Sequence, residues 1–183
     1  STTYELGARY AAGGTVLDAT LFHARSKDYI ATVSSGTTGT YQNVDAAHSS
    51  GLELYAEHAL GAWGLTPYTS FAAMRRQLRY GNGYNTYDGG SPTFSGKLGL
   101  RKDWRWDHIT GSVDLFVRGE SKVELRGDTG TLAGSAAGYG TLNLRAHADF
   151  GAGLGMVAEL NNLTDRRYAP YGQMPGAERS LNL

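Results

Sequence analysis

Five histidines, no cysteine and a scatter of serines and carboxylates are the raw material from which this chain could build a reactive centre. His23, His48, His58, His108 and His147 stand apart, with no His-x-x-x-His or comparable spacing to put two imidazoles on one metal. A structural or solvated role is expected of each. Nucleophilic chemistry has no better footing, because there is no Gly-x-Ser-x-Gly elbow. The run from Gly90 to Gly96-Lys97 is shaped like a phosphate loop, but it is one residue too long and has Leu98 where Ser or Thr is required. It also lacks a strand leading into a helix. No catalytic residue and no metal site are therefore expected.

What does stand out is polar chemistry at a spacing of two. Asn143, Arg145, His147 and Asp149 alternate with Leu142, Leu144, Ala146, Ala148 and Phe150. Successive side chains of a strand point to opposite faces, so this stretch has one polar and one apolar side. Arg145, His147 and Asp149 read as a network on the wall of a lumen, together with Asn143. Arginine at Leu144 is accordingly expected to cost far more than arginine at Asn143. The same alternation runs through 111–120, with Phe116 on the polar side, and through 52–57. It is looser in 94–101 and 154–160. It is absent from 65–79, and it is lost in 15–30 after Leu21.

The breaks between these segments are of two alternating kinds. Short turns fall at 11–14, 61–64, 107–108 and 151–153, starting 50, 46 and 44 residues apart. Longer polar loops fall at 34–40, 81–92, 126–137 and 169–177. Tyr10, Trp63, Trp104, Trp106 and Phe150 flank the short turns, and Tyr29, Tyr41, Tyr80, Phe94, Tyr139 and Tyr168 flank the long loops. Two belts of amphipathic rings at the two strand ends are what the interfaces of a bilayer select. Long antiparallel strands with short turns at one end and long loops at the other predict a transmembrane β-barrel wall of about nine strands.

Composition agrees. The 26 glycines argue against a helical bundle, and 12 tyrosines against 5 phenylalanines and 3 tryptophans suit strands at an interface. With 17 basic and 17 acidic side chains the formal charge is zero, which gives no electrostatic case for nucleic acid or for an anionic membrane surface. No apolar run approaches the roughly 18 residues of a spanning helix. The start at Ser1-Thr2-Thr3-Tyr4, inside an apparent strand and without a signal peptide, reads as cut.

Several segments resemble the second half of the barrel of TonB-dependent receptors. Leu160 through Tyr168 (LNNLTDRRY) is similar to the N-L-x-D-x-x-Y motif of the penultimate strand in that family. Tyr4 through Tyr10, Phe22 through Ile30, and Tyr41 through Val44 followed by Gly51 through Leu54 resemble upstream strands in the same order. Arg75-Arg76, the segment Tyr87 to Pro92 and Ala137 to Tyr139 look most like the haem and haemoglobin receptor branch.

The resemblance implies an all-β, antiparallel barrel of about 22 strands in the bacterial outer membrane, of which residues 1–183 form the C-terminal part. The plug domain, the TonB box and the earlier strands would lie outside this chain. It also implies transport, not catalysis: haem or a ferric siderophore as passing ligand, no permanent cofactor, and TonB, the plug, outer-membrane lipid and a haem-carrier protein as partners. The iron-ligating histidine of the haem branch would lie upstream of Ser1, so none is assigned here. Ligand contacts are expected at the loop tips, on Tyr84, Tyr87, Asp88, Tyr171 and Met174, whose flat or polarizable surfaces suit a planar ligand or a protein. The alternative is a small self-contained barrel acting as a passive pore or structural protein.

Overall fold

A computed structural model of the chain describes residues 1–35, 38–80, 83–86, 91–126, 132–170 and 174–183. The strands are β1 (Thr2–Ala12), β2 (Thr15–Ser35), β3 (Thr38–His58), β4 (Leu65–Tyr80), β5 (Gly83–Thr86), β6 (Phe94–Trp106), β7 (Ile109–Glu120), β8 (Val123–Arg126), β9 (Leu132–Ala136), β10 (Tyr139–Gly151), β11 (Leu154–Asn161) and β12 (Ser180–Asn182). Nine of them form a path in which every neighbour is antiparallel, in the order β1-β2-β3-β4-β6-β7-β10-β11-β12. The only helical element among the described residues is a three-residue 3-10 turn at Gly61–Trp63.

Glycine and a few permissive residues make the short turns. Gly13, Gly14, Gly64, Gly151 and Gly153 have positive φ, as do Asp107 and Ala152. Asp107 is tolerable there because a short polar side chain can bond locally in the left-handed region. All four short turns lie where the alternation placed them. Three of the predicted long loops carry strand: β2 runs to Ser35 and β3 begins at Thr38 within 34–40, β5 pairs with β4 within 81–92, and β8 with β9 makes a separate hairpin around 126–137. The pairing β8–β9 buries Val123 and Ala136, which gives that excursion a small core of its own.

Register aligns the side chains into rows. Leu181, Leu160, Leu144, Leu115 and Leu100 stand side by side across five strands. The next row up runs Leu142, Val117, Leu98, Thr69, Ala56, Leu17 and Tyr10. Above it, on the same face, come Phe71, Leu54, Ala19 and Ala8, then Phe94, Ala73, Leu52, Leu21 and Leu6. This apolar face is the exposed one, with Leu6 at 73% and Leu98 at 65%. The polar face is more enclosed: Thr66, Asn143 and Thr141 are buried on it. A protein in water would bury the opposite face. Among the described residues no helix is long and apolar enough to cross a membrane, so any crossing is by strands.

The aromatic belts hold at one end and need correction at the other. Tyr10, Trp63, Trp104, Trp106 and Phe150 are exposed around the short turns. At the long-loop end Phe94 and Tyr41 are exposed too. Tyr139, however, lies in register with Glu120 on the polar face, where its ring stacks on Tyr168 at 4.2 Å. Those two tyrosines belong to the inside of the sheet, not to a lipid interface.

Candidate functional site

The polar face is a continuous wall. One row across it reads Arg9, Asp18, Tyr55, Ser70, Lys97, Arg118 and Thr141. Charges of opposite sign are paired along and between rows: Arg9 with Asp18 at 3.5 Å, Arg101 with Asp103 at 3.2 Å, Arg118 with Glu120 at 2.8 Å and Arg145 with Glu159 at 3.1 Å. A recess of about 610 Å3 opens between Asp18, Glu53, Tyr55, Lys97, Arg118 and Glu120.

Asp114 organises the centre of this wall. The Tyr68 hydroxyl donates to both of its carboxylate oxygens, each at 2.8 Å, and the Lys97 ammonium lies 3.3 Å away. Lys97 also sits 3.7 Å from the centroid of the Phe116 ring, a cation–π contact that holds the aliphatic stem against the sheet. Tyr68 reaches Asp114 by lying flat across Gly99. A Cβ on Gly99 would fall 2.4 Å from the tyrosine ring. Glycine is required here by close approach, not by dihedral angle.

A second cluster closes the polar face where β11 ends. Asn162 is 2% exposed and has φ 51°, a left-handed conformation that asparagine tolerates better than most. Its backbone N–H donates to Asn143 Oδ1 at 3.0 Å, and Arg166 N–H donates to Asn162 Oδ1 at 2.9 Å. The Asn162 amide donates to the Arg166 and Ala177 carbonyls at 2.9 and 3.1 Å. Asp165, also left-handed, accepts from the Arg179 N–H at 3.0 Å. The segment after β11 is thus folded back on itself, and Tyr168, packed between Tyr139 and Gly176, is its anchor.

The residues singled out from sequence fare unevenly. Asn143, Arg145, His147 and Asp149 do share the polar face. Asn143 is buried and bonded to Thr141 and Asn162, so it is a structural position and a poor place for arginine, contrary to the expectation above. Arg145 and His147 are exposed, and Asp149 caps the turn through the Gly151 N–H at 2.8 Å. Tyr84 lies on β5 opposite Arg79. Met174 is exposed. Tyr87, Asp88 and Tyr171 lie outside the described residues. No group of three or more metal-ligating side chains occurs among the described residues.

Three features were missed. The Tyr68–Asp114–Lys97 group is spread over 46 residues of sequence and only register assembles it. The role of Asn162 was hidden in a motif recognised by resemblance alone; its signal is an Asn-x-x-Asp pair just past a strand. The third is Arg76, on the polar face above Met74, whose Nε is enclosed with no described hydrogen-bond partner.

A family model described as TonB dependent receptor-like, beta-barrel, matches residues 1–163. The pesticin receptor of Yersinia enterocolitica is 27% identical over 194 residues, covering 97% of this chain and 26% of that protein. The chain therefore spans about a quarter of the length of the curated relatives it matches. Among solved structures, the ferric yersiniabactin uptake receptor FyuA from Yersinia pestis superposes with a TM-score of 0.66 at 21% identity, covering 98% of this chain and 27% of that one. The copper transporter OprC gives 0.76 at 17% identity, and the FrpB iron transporter from Neisseria meningitidis 0.72 at 17%. Each covers 98% of this chain and 30% of the other. At these identities the superpositions speak for the fold alone.

Proposed function

Because the chain belongs to the TonB-dependent receptor-like β-barrel family, we propose that it is the C-terminal wall of an outer-membrane receptor that imports an iron complex. The full-length barrel would hold about 22 strands, with the plug and the TonB-contacting segment elsewhere in the protein. The observation that carries this reading is the two-faced sheet: an exposed apolar band on one side, and on the other a wall of paired charges. Such a wall seals against lipid and offers hydrogen-bonding groups to a plug and a polar cargo. Arg145, His147 and Asp149 face that lumen, with Asn143 as its structural support.

Ferric siderophores rank before haem. The relatives named above are a pesticin receptor, a ferric yersiniabactin uptake receptor, an iron transporter and a copper transporter, and this moves the preference from the haem branch to chelated metal. Arg76 suits an anionic oxygen of such a chelate. Tyr84, Tyr87, Asp88, Tyr171 and Met174 would meet the ligand, or a carrier protein, at the extracellular mouth. No resident cofactor is needed, since the metal complex is cargo.

The test is growth of an iron-limited strain, lacking its other receptors, that expresses the full-length protein. Growth on a ferric siderophore that disappears when TonB is deleted is the expected result. Growth indifferent to TonB would favour a passive pore. Growth on haem alone would restore the haem assignment. Alanine at Arg76, Tyr87 or Tyr171 should weaken ligand binding without altering insertion of the barrel.

A further inference from the structure

On β2, β3 and β4 the lumenal face changes character above the recess. Its rows there are Glu5, Phe22, Gly51 and Met74, then Thr3, Ala24, Ser49 and Arg76, then Ser26, Ala47 and Leu78. Ala47 and Leu78 are buried and close the upper end. Phe22 and Met74 are half-buried, and the Phe22 ring lies across Gly51, where an added Cβ would strike it. Arg76 is the one cation on these rows among the described residues, and its Nε is enclosed with no hydrogen-bond partner among them.

An enclosed donor without a partner has given up hydration for nothing, so an anionic oxygen placed on it gains more than at a solvated arginine. The surroundings limit how much charge can come with that oxygen. Glu5 shares the row of Phe22, and the row below carries Glu53 and Glu120. Lys97 and Arg118 lie one row lower still, where Asp114 and Glu120 already hold them. The recess of about 610 Å3 reaches Thr20, Glu53 and Ala72, so it opens directly under Phe22 and Met74. An aromatic face beside a thioether suits a flat ring.

We propose that this patch selects the cargo: a ferric chelate that carries an aromatic ring and a single net negative charge. Its ring lies on Phe22 and Met74, its anionic oxygen on Arg76, and its more polar remainder in the recess below. This rests on the transport reading above and narrows it to one chemical class. A chelate without a ring leaves Phe22 and Met74 uncovered, and a neutral one leaves the Arg76 guanidinium unpaired. A polyanion sets its surplus charge against Glu5 and Glu53.

The test measures affinity on the full-length receptor in non-ionic detergent with four ferric complexes as probes. They are those of a hydroxyphenyl-thiazoline carboxylate (aryl, singly charged), catechol (aryl, triply charged), citrate (no ring, polyanionic) and a neutral trihydroxamate. The first should bind more tightly than each of the others by about ten-fold or more. Arg76→Gln should weaken it roughly 10- to 100-fold, Arg76→Lys less, and Phe22→Leu about three- to ten-fold. Lys27→Gln, which removes a cation at similar height on the opposite face, should change nothing. If Arg76→Gln fails to insert, as read by heat-modifiable migration, the order of the four probes on the unaltered receptor and the Phe22→Leu loss decide. Tighter binding of any of the other three complexes overturns the proposal, as does unchanged affinity in Arg76→Gln and Phe22→Leu receptors that insert. Uptake is read in cells expressing the same receptors. TonB-dependent uptake of one of the other complexes in place of the first retires the chemical class and leaves transport standing. Uptake of every complex without TonB counts against the transport reading, and the proposal falls with it.

Discussion

Strands β2, β3 and β4, of 21, 21 and 16 residues, keep their backbone groups in ladders that run far above the apolar band. At the other side of the sheet β11 has 8 residues and β12 only 3, and their pairing stops near the row of Leu144. Both regions must satisfy the same requirement, since a backbone N–H or C=O left bare beside lipid costs several kcal/mol. The tall side meets it with backbone partners, so its side chains are left to choose what they face. The short side meets it with side chains: Asn143, Asn162 and Asp165 between them bond six backbone groups. A segment closed by side chains depends on a few identities, whereas a ladder depends on almost none.

The largest expected effect therefore falls on the short side. Asn162→Ala removes one acceptor and one amide, stranding the Arg166 N–H and the Arg166 and Ala177 carbonyls. It also puts a less tolerant residue at φ 51°. A loss of about 3–5 kcal/mol is expected in urea titrations of the full-length barrel in vesicles. A loss below about 1 kcal/mol would mean that the folded-back segment is held by something else.

The next effect separates the faces of one strand. Leu144→Arg should cost about 2–4 kcal/mol near the bilayer midplane, and His147→Arg, on the exposed polar side of the same strand, almost nothing. Equal costs would mean that the faces have been exchanged. On the tall side the sensitive position is a glycine: a Cβ on Gly51 would lie 2.4 Å from the Phe22 ring and 2.5 Å from the Ala73 carbonyl oxygen. Gly51→Ala should cost about 1–3 kcal/mol by forcing both strands apart. Ser50→Ala, one residue away, should be nearly silent in the same titration, because the ladder there does not need its hydroxyl.

How much of this was readable in the residues follows from the same contrast. The short turns and the alternation of 111–120 and 141–150 were legible, because those strands lie wholly within the apolar band and each face keeps one solvent. β2 lost its pattern after Leu21 because the strand continues out of the band: His23, Arg25 and Lys27 then occupy the face that Leu17, Ala19 and Leu21 occupy below. The pattern inverts there; it does not end. In β4 the two faces carry Phe71, Ala73 and Arg75 against Tyr68, Ser70, Ala72 and Met74, a mixture that no window of fixed period resolves. Tyr139 was misread because a tyrosine near a strand end looks the same whether its ring meets lipid or, as here, Tyr168. The polar wall was legible as a face of β10, but its partners across β4, β6 and β7 needed the register.

The smallest effect is the one that tests the contrast most directly. Tyr68→Phe deletes a hydrogen bond as good as any at Asn162, with both contacts at 2.8 Å. The difference lies in what is left behind. Asp114 keeps Lys97 at 3.3 Å, the phenyl ring still covers Gly99, and every backbone group nearby stays in its β4–β6 or β6–β7 ladder. Losing a side-chain hydrogen bond without orphaning a buried group costs about 1 kcal/mol. The loss should grow when Lys97→Met is combined with it, since Asp114 then faces an enclosed wall without either partner, and a double-mutant cycle would read that coupling. If Tyr68→Phe alone cost as much as Asn162→Ala, backbone satisfaction would not be what distinguishes the two sides. The polar wall itself, and not the ladder behind it, would then be the principal support of the sheet.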